Sequence, residues 1–126
     1  MAIFRLSRKF AQKHLAGRWP YRRARVSGNS MEPTFSDGDV LLVRIFREVP
    51  IDLPLLTVAL VEREVQPGIF YIKRIQKSHG GAYWVEGDNR EPDLQERMSD
   101  SRSWGYVQSH EIRGRVLFRL KKRAKS

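Results

Sequence analysis

The sequence predicts a single, mainly antiparallel β domain. Three observations carry that expectation. Short apolar runs rich in Val, Ile and Leu recur along the chain, each bounded by Gly, Pro or Asp. "IFYIKRIQ" and "AYWVEG" flank "HGG", the best hairpin signal present. The length of 126 residues allows one modest core.

The elements follow in order. Residues 3–15 can form a short basic helix, with Ile3, Leu6 and Phe10 roughly on one face and Arg5, Arg8, Lys9 and Lys13 around them. Gly17 and Pro20 mark its end. Such a helix packs on the domain or rests weakly on an anionic membrane surface. After Trp19 the character turns to β. Arg22 to Ser27 reads as a strand, followed by "DVLLVRIF", "LLTVALVE", "GIFYIKRIQ" and "AYWVEG". Residues 87–104, "GDNREPDLQERMSDSRSW", read as one long polar loop, and "GYVQ" and "IRGRVLFRL" close the domain. The expected division is a basic extension over 1–20, a β domain over 21–120 and a solvated basic tail over 121–126.

Composition removes several function classes. There is no cysteine, so disulfides, thiolate metal sites and cysteine nucleophiles are excluded, and the chain fits a reducing cytoplasm. His14, His79 and His110 are scattered without metal-ligand spacing, and no metal or cofactor is expected. No apolar run has the length of a membrane span, and the N-terminus does not read as a secretory signal. The net charge of +10 favours polyanions or an anionic membrane surface.

One stretch, "VSGNSMEPTFSDGDVLLV", holds a candidate nucleophile. Taken alone, Ser30 is a serine in a turn. Gly28 permits close backbone approach, Pro33 restricts the chain just after the serine, and "SDGD" turns it into the strand at Val40. A serine hydroxyl needs a neighbour to take its proton. No histidine sits in a recommending context, and arginine does not give up its proton. A lysine serves if desolvation lowers its proton affinity. Lys9, Lys13, Lys77, Lys121, Lys122 and Lys125 lie in polar runs, whereas Lys73 lies inside "IFYIKRIQ". Alternation puts Tyr71, Lys73 and Ile75 on one face and Phe70, Ile72 and Arg74 on the other. By propensity the lysine face is exposed; only a pairing with Ser30 reverses that order.

"SGNSMEPTFSDGDVLLV", "YIKRI" and "GDNREPDLQERMSDSRSWGYVQSHEIRGRVLF" resemble, in that order, the conserved boxes of type I signal peptidases. Self-cleaving repressor-type proteases share a similar β fold and the serine and lysine, but are not expected to carry the "GDN…DSR" segment. The resemblance implies a compact antiparallel β peptidase with a Ser/Lys dyad, in which Ser30 matches the nucleophile and Lys73 the general base. It implies that the Ser30 amide helps to stabilise the oxyanion. Gly28 stands where some members carry a hydroxyl for that purpose. Met98 stands where the family has a lysine-orienting serine, so either Ser99 is brought in or another group orients Lys73. Asp100, Ser101 and Arg102 match the support beside the dyad, with Asp100 and Arg102 as a charged pair. Gly87, Asp88 and Asn89 match a structural turn behind the lysine strand.

Within that family, twelve residues, Arg74 to Val85, separate Lys73 from "EGDN", and no membrane anchor precedes the serine box. This layout resembles the maturation protease of nickel-type superoxide dismutase, which implies the dismutase proenzyme as precursor substrate and partner. The alternative is a soluble or peripheral signal peptidase acting on exported preproteins at the inner face of the membrane. A reading of another class, a basic nucleic-acid-binding β barrel using Trp19, Trp84, Trp104 and Tyr106, explains the charge but leaves Ser30, Lys73 and "GDN…DSR" as coincidences. No specific nucleic acid is therefore expected as a partner.

Overall fold

The computed structural model describes residues 3–5, 19–91 and 99–123, with the backbone alone at 3–5. Eight strands join one sheet: β1 (Ile3–Arg5), β2 (Tyr21–Arg25), β3 (Val40–Ile45), β4 (Val58–Val61), β5 (Ile69–His79), β6 (Ala82–Glu86), β7 (Val107–Gln108) and β8 (Ile112–Lys121). The spatial order is β2-β3-β8-β4-β5-β6-β7, with β1 added beside β5. Every pairing is antiparallel, so the chain is the mainly antiparallel β domain that its alternation predicts.

The strands fall where the β-branched runs lie, with two informative differences. "LLTVALVE" enters the sheet only at Val58, because Leu56 adopts φ 73, a conformation a strand does not accommodate. Within the predicted loop over 87–104, Ser101–Trp104 forms a helical turn, α1, capped by the Asp100 side chain, which accepts from the Arg102 amide. The expected basic helix over 3–15 lies outside the described residues apart from Ile3–Arg5, which pairs as a strand with Ile69–Tyr71.

The sheet curls so that both faces of its centre are buried. One cluster gathers Val26, Met31, Leu41, Val43, Leu60, Phe70 and Ile72. The other gathers Ala59, Val61, Tyr71, Ile75, Val85, Val107 and Ile112. Alternate residues of β5 supply opposite clusters, so Phe70 to Lys73 is buried without interruption. Gly114 permits the close approach of β8 to β3: a Cβ there would lie 2.3 Å from the Arg44 carbonyl oxygen.

Candidate active site

Ser30 opens a run of turns between β2 and β3. Its turn is fixed by main-chain bonds from Glu32 N–H to Asn29 O and from Phe35 N–H to Met31 O, with Met31 fully buried as the anchor. The far end of this segment is held by Asp39. Its carboxylate accepts from the amides of Ser36 and Arg123 and from Arg119. Burial pushes the Asp39 carboxyl up, but these donors outweigh it and hold it below the usual range. Gly28, at φ 89, donates its N–H to Asp37 Oδ1 at 2.8 Å and so serves as a turn residue.

Lys73 sits mid-strand in β5, opposite Ala59 of β4. The lysine face is not exposed, contrary to the propensity of an isolated strand. Lys73 is 0% exposed and Ser30 2% exposed. The reason is tertiary: the serine turn meets the Lys73 ammonium, and Trp104 of α1 packs edge-on against Tyr71, two residues before it, at 4.9 Å between ring centroids. The Lys73 Nζ donates to Ser30 Oγ at 3.3 Å. Burial is the main cause that lowers the lysine from 10.5 to about 8. The nearby Asp100 carboxylate pulls it back up and the Arg102 guanidinium pushes it down. At pH 8 such an amine is about half neutral, and a neutral amine accepts a proton.

The segment following β6 ties serine and lysine together. Gly87 lies against Ser30 so closely that a Cβ would sit 2.6 Å from the Ser30 carbonyl oxygen and 3.2 Å from its Cβ. Asn89 donates its N–H to Ser30 O at 2.8 Å and its side-chain amide to Asn29 O at 2.9 Å. Asp88 accepts from Arg74 Nε at 2.8 Å and Nη2 at 2.7 Å, and from Thr34 Oγ1 at 2.6 Å. One carboxylate thereby joins the residue after Lys73 to the turn containing Ser30. Burial raises the Asp88 carboxyl, but Arg74 and Thr34 more than reverse this and hold it below its ordinary value.

The loop over the lysine is also braced. Asp100, fully buried, receives Arg102 Nη2 at 2.6 Å and the Gly87 N–H at 3.3 Å. Ser101 is buried and its Oγ accepts from the Val85 N–H at 2.8 Å. Ser99 is half-buried beside Asp100, and Met98 lies outside the described residues.

Gly87, Asp88 and Asn89, expected as a turn behind the lysine strand, thus contact the serine turn directly. Thr34 and Arg74 are the partners that sequence reasoning missed. An arginine inside an apolar strand is the signal that points to Asp88, since a partly buried guanidinium requires an acidic partner. Of the aromatic residues, Trp84 packs edge-on against Tyr106 under Lys77 and Trp104 against Tyr71, while Trp19 stands exposed, edge-on to Tyr21. Among the described residues no group of His, Asp and Glu is placed to hold a metal ion.

A family model described as Peptidase S24-like matches residues 18–117. The chain is also 29% identical over 93 residues to the signal peptidase complex catalytic subunit SEC11C of Homo sapiens, Mus musculus and Canis lupus familiaris. Those matches cover 72% of this chain and 47% of each relative, so the chain spans about half the length of the curated relatives it matches.

Proposed function

The chain belongs to the Peptidase S24-like family, and on that premise we propose that it is a serine endopeptidase that removes an N-terminal leader from a precursor protein, with Ser30 as nucleophile and Lys73 as general base. The observation that carries the reading is the buried contact of Lys73 Nζ with Ser30 Oγ at 3.3 Å. The reactive form has Lys73 neutral. As Ser30 Oγ attacks the scissile carbonyl carbon, its proton passes to Lys73 Nζ and the carbonyl oxygen becomes an oxyanion. Collapse of that intermediate breaks the C–N bond, and the lysine ammonium returns the proton to the departing amine. Water, deprotonated by the same amine, then attacks the acyl ester and regenerates Ser30. Asp88, Gly87 and Asn89 act as positioning residues: they hold the serine turn against the lysine strand. Asp100 and Arg102 bias the lysine's proton affinity in opposite directions.

The precursor in this reading is the nickel-type superoxide dismutase proenzyme, processed in the cytoplasm. The tight Gly80–Gly81 turn between β5 and β6, which keeps Lys73 close in sequence to Gly87, supports the compact subgroup over larger peptidases. The likeness to signal peptidase complex catalytic subunits favours a second substrate class, exported preproteins. No helix among the described residues is long and apolar enough to cross a membrane.

The purified chain is mixed with each precursor and the new N-terminus is read by mass. Cleavage of the dismutase proenzyme, abolished in both Ser30→Ala and Lys73→Ala, is the expected result. Cleavage of exported preproteins alone removes the dismutase assignment. Full activity in a folded Lys73→Ala protein removes the mechanism.

A further inference from the structure

A cavity of about 650 Å³ lies where the end of β3, the loop after it and β8 meet. Its lining includes Arg44, Arg47, Arg115, Val49 and Ile51, and none of the candidate active-site residues. Arg44 and Arg115 are direct cross-strand partners in the β3–β8 pairing. Like charges placed opposite each other destabilise a sheet. Neither arginine has an ion pair among the described residues, and Arg115 Nε is buried without a hydrogen-bond partner. The one carboxylate in the lining is that of Glu48, and an anion bound there would relieve the Arg44–Arg115 repulsion.

The same loop displays apolar side chains to solvent. Val49 is 55% exposed and Ile51 85% exposed. Further along, Leu55 and Leu56 are also exposed. A soluble anion would use the arginines and leave these side chains in water. An anionic bilayer uses both: lipid phosphates neutralise Arg44 and Arg115 while Ile51 and Val49 enter the acyl boundary. The net charge of +10 acts in the same direction.

We propose that the arginine-lined cavity and the apolar loop over it, centred on Arg44, Arg115 and Ile51, form a docking site for an anionic phospholipid bilayer. The loop runs directly into β4, whose Ala59 pairs with Lys73, so a docked molecule carries its lysine strand close to the lipid surface. The docking stands whether or not the peptidase reading does.

The test is co-sedimentation of the full chain with phosphatidylcholine vesicles and with vesicles containing phosphatidylglycerol, at near-physiological salt. The chain should pellet only with the anionic vesicles. Arg44→Gln/Arg115→Gln should weaken binding about tenfold or more. Ile51→Asp should weaken it by about tenfold with an unchanged circular dichroism spectrum. The arginine pair variant relieves a repulsion, so its melting temperature should not fall, which separates lost binding from lost folding. Equal binding of both vesicle types overturns the proposal, as does wild-type binding by Ile51→Asp. Release of the bound chain by millimolar inorganic phosphate, or by single-stranded RNA in place of lipid, assigns the arginines to another anion and overturns it too.

Discussion

Replacing Lys73 by Met separates the cost of burying an ammonium from the work it does. Below pH about 8 the lysine is protonated in both folded and unfolded chains, and the fold carries the full burial cost. Between about 8 and 10.5 the unfolded chain holds a proton that the folded chain has lost, so stability rises with pH. Above 10.5 both are neutral and the cost is gone. At about 1.4 kcal/mol per tenfold change in proton affinity, lowering the lysine from 10.5 to about 8 corresponds to about 3 kcal/mol. Met keeps the length and apolar stem but loses the bond to Ser30 Oγ, a constant loss of about 1 kcal/mol at every pH. Urea denaturation of wild type and Lys73→Met, from near pH 7 to above pH 10, should therefore show the variant favoured at neutral pH. The difference should shift by about 3 kcal/mol on going to alkaline pH, from about 2 kcal/mol in the variant's favour to about 1 kcal/mol against it, while the variant has no peptidase activity throughout. A gap that stays constant to within about 1 kcal/mol refutes the buried-ammonium argument.

Three further outcomes follow from the same geometry. Wild-type kcat/KM should climb about tenfold per pH unit below about 8 and level off above it. In pH-rate profiles Asp100→Asn should move that rise toward acid and Arg102→Gln toward alkali, since the first charge favours the ammonium and the second opposes it. Shifts in one shared direction would exclude this electrostatic control. Gly87→Ala forces a methyl to 2.6 Å from the Ser30 carbonyl oxygen, and kcat should fall about 100-fold through displacement of the nucleophile. An unchanged kcat would mean the serine turn is not held there. Asp88→Asn loses the two-pronged Arg74 contact and the Thr34 bond and should cost about 1–3 kcal/mol at pH 7 in urea denaturation. Because the Asp88 carboxyl is held below its ordinary value of 3.8, wild type keeps this contribution above that pH and loses it as pH falls through the lowered value. The variant should show no such acid loss.

The strands were legible because their signal is local. β3, β5, β6 and β8 lie where β-branched alternation meets Gly, Pro or Asp. The burial of Lys73 was not local. Its neighbours Tyr71 and Ile75 are ambiguous until the Ser30 turn and Trp104, both distant in the chain, meet Lys73 and Tyr71. Gly87 reads as a turn residue because its partner is the Ser30 backbone, and a backbone contact leaves no pattern in side-chain types. The same holds for Asn89, whose bonds go to the carbonyls of Ser30 and Asn29. Leu56 at φ 73 gives no warning, since nothing about leucine announces a left-handed position. Its N–H bonds to Ile75 O and its carbonyl accepts from Arg74, so the conformation is imposed by the lysine strand. Asp100 and Arg102 were legible as a pair only through the family resemblance, and a single turn joins them at 2.6 Å.

The short strand β1 bears on how the protein behaves in concentrated solution. It pairs with Ile69–Tyr71 and stops two residues short of Lys73. An uncovered strand edge is a template on which another copy can add, the route by which sheet proteins self-associate. A three-residue strand covers that edge with few bonds, so the cover opens and recloses at low cost. Opening of β1 would uncover the edge of β5 next to Lys73. Conditions that loosen β1 expose the edge to every extended chain in the solution, other copies of this protein included.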